Sequence, residues 1–157
     1  MFSLSTQVFS ETVGIFFDSN VEQIKFAAGD VKTALEAKSF TVEMLPLSSL
    51  DATYANKKVV IALASDNATI GILTTQGGTI PTGLKEQGYG LRTTSNPQQS
   101  YWVVGADVNG AMYGGLQMAE NITFSGFTGS YNNEESPSIL KRGIKLNLPW
   151  DKRSGTY

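Results

Sequence analysis

With no histidine and no cysteine in its 157 residues, this chain has few side chains that can do chemistry. Ser-His-Asp and Cys-His nucleophilic catalysis are excluded, as are imidazole and thiolate metal sites and the commonest general base near neutral pH. Carboxylates, lysines, tyrosines and hydroxyls remain. Two carboxylates flanking a bond suffice for glycoside hydrolysis, so the fourteen acidic residues are weighed first. Glu22, Asp30 and Glu36 fall off the apolar stripe of a predicted helix and read as its solvated face, while Glu134 and Glu135 stand in a polar, glycine-bearing stretch. None has the apolar flanks that would raise a carboxyl pKa. Tyr89, Tyr101, Trp102 and Tyr113 are candidates for a sugar-stacking platform, although aromatic residues in strands and packed helices more often serve the core.

Two further stretches invite a binding role. "GADVNG" (Gly105 to Gly110) precedes a helical pattern, and amides at a helix start attract anions. It lacks the spacing of either glycine-rich phosphate fingerprint, and Asp107 would repel phosphate, so it reads as a strand-to-helix turn with a capping aspartate. Lys141, Arg142, Lys145, Lys152 and Arg153 place five of the twelve basic residues in the last seventeen positions. Trp150 is the one aromatic among them and the body has no basic stripe, so no nucleic-acid partner is expected. No run approaches the roughly 20 apolar residues of a membrane span, and "MFSLSTQVFS" lacks the basic and apolar regions of a signal peptide. No membrane partner, cofactor or metal is implied.

The elements that must position these residues follow from hydrophobic period. "ETVGIFFD" (Glu11 to Asp18) reads as a strand buried on both faces. A helix follows, with capping-box spacing at Ser19 and Glu22 and an apolar stripe at Val21, Ile24, Ala28, Val31 and Leu35. "FTVEML" and the apolar run of "KVVIALA" are the next two strands, and residues 66–81 hold a short helix or an irregular loop. "GYGLRTT" and "SYWVVG", joined through Asn96 and Pro97, form an antiparallel hairpin. The last helix starts at Asp107 and presents Val108, Met112, Leu116 and Ala119. Gly110, Gly114 and Gly115 each cost this helix up to ~1 kcal/mol against alanine, which close approach of helix to sheet would offset. The expected fold is α+β, β-α-β-β-β-β-α, a mixed sheet of four to five strands with two main helices on one face. Residues 126–138, "GFTGSYNNEESPS", have the composition of a linker, and "IKLNLP" beyond it alternates like a strand.

Residues 86–120, "EQGYGLRTTSNPQQSYWVVGADVNGAMYGGLQMAE", resemble the small N-terminal domain that precedes the catalytic barrel in glycoside hydrolases of the β-N-acetylhexosaminidase, α-glucuronidase and O-GlcNAcase-like groups. Glu86, Gly88, Tyr89 and Leu91, then Gly105, Asp107, Gly110, Tyr113, Gly114 and Leu116 carry the pattern. The resemblance implies that residues 1–125 are an auxiliary, non-catalytic domain, that 126–138 is the connector, and that 139–157 is the first strand of a truncated (β/α)₈ barrel. The partner is then the barrel of the same parent chain, which brings the carbohydrate. It implies a secreted or periplasmic polysaccharide degrader, and sugar contact by Arg142 of the Arg142-Gly143 pair in the full-length enzyme. Asn147 departs from the hexosaminidase pattern, which often has aspartate there. The alternatives are a free-standing carbohydrate-binding module, which needs exposed coplanar aromatics, and a small histidine-free enzyme using carboxylates, which needs a pocket with two acids about 5 to 10 Å apart.

Overall fold

The computed structural model describes residues 10–138. The apolar runs form the strands β1 (Thr12–Phe17), β2 (Thr41–Pro46), β3 (Lys57–Leu63), β4 (Tyr89–Thr94) and β5 (Ser100–Gly105), and a sixth, β6, spans Asn132–Glu135. The helices are α1 (Glu22–Ala37), α2 (Asn67–Thr75) and α3 (Val108–Ser125). The sheet order is β2-β1-β3-β5-β4-β6. The first four strands in that order are mutually parallel, whereas β4 runs antiparallel to both β5 and β6. The fold is α+β with a mixed sheet, as the element order suggests.

Strand alternation divides the core in two. Val13, Ile15, Val59, Ile61, Tyr101, Val103 and Leu91 face α1 and α3. Phe16, Val60, Ala62, Trp102 and Val104 face the other way, under Ile70 and Leu73 of α2 and the connection that follows β2. The two longer helices therefore share one face. Within residues 66–81, the alternative of a short helix is the one realised, and that helix covers the opposite face.

Three local expectations are corrected. Residues 132–135, within the stretch with linker composition, are a sheet strand paired from Tyr89↔Glu135 to Arg92↔Asn132; its all-exposed "NNEE" sequence carries no strand period. Ser19 does not cap α1. The helix starts from Val21, which gives no side-chain cap, because Asp18 Oδ1 accepts from the amide and Nδ2 of Asn20 at 2.9 and 3.1 Å and turns the chain first. The buried residues of α3 are Gly110, Ala111, Gly114, Gly115, Met118, Ala119 and Ile122; of the expected face only Ala119 is among them, and Val108, Met112 and Leu116 are half-buried. Glycines and alanines take most of the core face because they let the backbone come closest, and Met118 and Ile122 fill the rest.

Candidate functional site

The residues of the 86–120 pattern meet at the corner where β4 enters the sheet and α3 leaves it. Asp107 caps α3 as expected, accepting from the Gly110 amide at 2.8 Å, and also takes the Gln87 amide at 2.7 Å. One carboxylate thus ties the start of α3 to the start of β4. A Cβ on Gly110 would collide with the carbonyl oxygen of Gly88, and one on Gly114 would stand 2.9 Å from the Tyr89 ring. On Gly115 it would lie 2.8 Å from Ala27 Cβ of α1. These glycines are where helix, sheet and second helix touch. At these glycines the pattern is a packing pattern.

The aromatic candidates are committed elsewhere. Tyr101 and Trp102 are fully buried and Tyr89 nearly so. Trp102 Nε1 donates to Thr94 Oγ1 at 3.1 Å, and Tyr101 packs on Phe127 at 4.2 Å between ring centroids. Burial, with a smaller contribution from Tyr131, pushes the Tyr101 phenol up to about 12. Tyr89 rises further, through burial first and then the hydrogen bond its hydroxyl donates to Glu135 Oε2 at 2.9 Å. Tyr113 is half-buried on α3. No coplanar, exposed platform forms from these four.

Of the acids weighed above, Glu22, Asp30 and Glu36 lie on the solvated face of α1, and Glu22 and Glu36 pair along the helix with Lys25 and Lys32. Glu134 and Glu135 are instead what fastens β6. Glu134 forms an ion pair with the guanidinium of Arg92, a buried β4 residue that also donates to the carbonyls of Thr79 and Asn133 at 3.0 Å each. Composition could not show this, since the partner lies some forty positions upstream. Arg142, the sugar-contact candidate, lies outside the described residues.

Two clefts bring polar groups together. One, of about 460 Å³, opens between β6 and α3, lined by Tyr89, Gln117, Glu120, Glu135 and Ser138 among others. The other, of about 440 Å³, lies at the carboxyl ends of the parallel strands, with Asp18, Ser19 and Asn20 on one side, Ser48 on a second, and Asp66 and Thr69 on the third. Each holds two carboxylates. In the second cleft Asp66 is engaged as the cap of α2, accepting from the amide and hydroxyl of Thr69 at 3.2 and 2.6 Å. Among the described residues no group of three or more potential metal ligands assembles, and no helix is long and apolar enough to cross a membrane.

No protein-family profile and no curated protein matches the chain. Among solved structures its fold is similar to part of a GH138 enzyme targeting pectin rhamnogalacturonan II, with a TM-score of 0.56 at 16% identity. The match covers 83% of this chain and 16% of that one. The chain thus shares its fold with a small part of a much longer glycoside hydrolase.

Proposed function

We propose that this chain is a non-catalytic auxiliary domain of a carbohydrate-active glycoside hydrolase, one that buttresses the catalytic barrel following it. The observation that carries the reading is the fold likeness to a 16% portion of a glycoside hydrolase, together with a packing pattern at 86–120 that resembles the domain preceding such barrels. The chemistry agrees with it: histidine is lacking, Asp66 and Asp107 serve as helix caps, and Glu134 and Glu135 hold an edge strand. In this reading residues 139–157 open the barrel, and the parent enzyme works outside the cytoplasm. The burial of Tyr101 and Trp102 weighs against the exposed aromatic platform that the carbohydrate-binding-module alternative needs.

The test has two arms. The isolated chain, incubated with chromogenic hexosaminides, glucuronides and hexosides, should give the buffer rate; turnover abolished by changing one of its acids would overturn the reading. In the longer enzyme, Arg142→Ala should lower kcat/KM about tenfold or more, equivalent to about 1.4 kcal/mol, with little change in Tm, while Lys145→Ala should do little. Equal small effects at both would remove Arg142 from the sugar site.

A further inference from the structure

Adjacent parallel strands β1 and β3 send their chains to opposite faces of the sheet: β1 continues into α1 on one face, and β3 into α2 on the other. Where connections diverge like this at the carboxyl ends of strands, a crevice opens between them, and in open α/β sheets it is the usual place for a ligand. The 440 Å³ cleft lies there. None of its lining residues is a lysine or arginine, so no cationic side chain in it compensates an anion, and Asp18 and Asp66 oppose one. Its polar groups are mixed. Asp18 uses Oδ1 for Asn20 and leaves Oδ2 without a hydrogen bond among the described residues. Ser19, Asn20 and Ser48 supply further donors and acceptors. Phe17, Leu47, Leu50 and Ile72 form the apolar wall.

From this we propose that the switch-point cleft binds a neutral polyhydroxylated molecule, a single sugar unit, with Asp18 accepting from its hydroxyls and the apolar wall covering a C–H face. A carboxylate can accept from two adjacent hydroxyls, and a convergent set of polar groups over an apolar wall is the usual make-up of a small-molecule site. Exclusion of anions by Asp18 and Asp66 sets the specificity: neutral sugars over their uronic acids. The inference rests on the carbohydrate-active reading and adds to it a binding site within the auxiliary domain itself.

The experiment is an amide NMR titration of the full 157-residue chain with galactose, glucose, mannose and xylose, and separately with galacturonate and glucuronate. At least one neutral sugar should move the Ser19, Asn20, Ser48 and Thr69 amide signals saturably, half-complete at about 1 to 50 mM. The two uronates should bind at least tenfold more weakly. Asp18→Asn should weaken the neutral sugar about tenfold, and Ser48→Tyr, which places a ring in the cleft, should abolish binding with Tm changed by a few degrees at most. Silence of these signals with all four neutral sugars, or uronates binding as well as neutral sugars, overturns the inference. Hydrolysis by the longer enzyme is assayed separately, so an active enzyme with a silent cleft removes this site and leaves the proposed function standing.

Discussion

Replacing Lys58 with methionine should stabilise the protein. Lys58 sits on central strand β3, fully buried, and its Nζ has no hydrogen-bond partner among the described residues. Burial pulls its amine below the ordinary value of 10.5, and Asp51 opposes this only in part. Asp51 is itself fully exposed, its carboxyl held below the usual range mainly by hydrogen bonds from Thr53, so its attraction is screened by water. A buried polar group left unsatisfied costs about 1–3 kcal/mol. Methionine keeps an unbranched stem of similar length and removes the amine, so the gain should fall in that range, raising Tm by about 2–4 °C for each kcal/mol in a domain of this size. The pH dependence follows from the direction of the shift. Below the lowered folded pKa both states hold the proton and the native state bears the full cost of a desolvated ammonium. Between that pKa and 10.5 only the unfolded chain holds it, so wild-type stability rises with pH relative to the variant. The advantage of Lys58→Met should therefore be largest at neutral pH and shrink as pH approaches 10.5, measured by urea unfolding of both proteins across that range. Lys57→Met, which removes a surface amine 3.0 Å from Glu11, is the control and should move stability by less than about 1 kcal/mol. A Lys58→Met variant less stable than wild type, or a gain that does not change with pH, would refute the reasoning.

Gly110→Ala should destabilise by about 2–3 kcal/mol, because the new methyl meets backbone at Gly88 and cannot be accommodated by a rotamer change. Gly29→Ala, in α1 with open space around it, should stabilise by about 0.5–1 kcal/mol; denaturant midpoints showing effects of the same sign would contradict the packing account. Glu134→Gln should cost about 1–2 kcal/mol, since the pair with Arg92 is charge-assisted on a glutamate 31% exposed, and should speed hydrogen exchange at 132–135. Exchange there unchanged would mean that backbone pairing alone holds β6. In a spectrophotometric titration Tyr101 should ionise only near pH 12. Because its folded pKa lies above the ordinary value of 10.0, the unfolded state loses the proton first and stability should fall as pH rises above 10; a Tyr101→Phe variant that falls just as steeply would argue against it.

Much of this fold is legible along the chain. The continuous apolar runs of β1 and β3, the stripe of α1 and the hairpin of β4 and β5 each carry their own period, and Asp107 marks the start of α3 through its own side chain. The glycines of α3 signal a close approach, because their helical cost requires an offset. What tertiary structure alone decided lies where the energy belongs to a partner. Strand β6 has no apolar pattern, and it exists through backbone pairing with β4 and through Arg92 and Tyr89, which reach it from that strand. The core face of α3 departs from the Met112 and Leu116 stripe for the same reason: hydrophobicity marks residues able to be buried, whereas the distance to α1 and to β4 is set by Gly110, Gly114 and Gly115. Tyr89, Tyr101 and Trp102 turn inward, because both faces of the sheet are covered, which alternation in β4 and β5 does not show. The switch-point cleft was beyond any single stretch of sequence, since Asp18, Ser48 and Asp66 share it only once α1 and α2 have left the sheet on opposite sides.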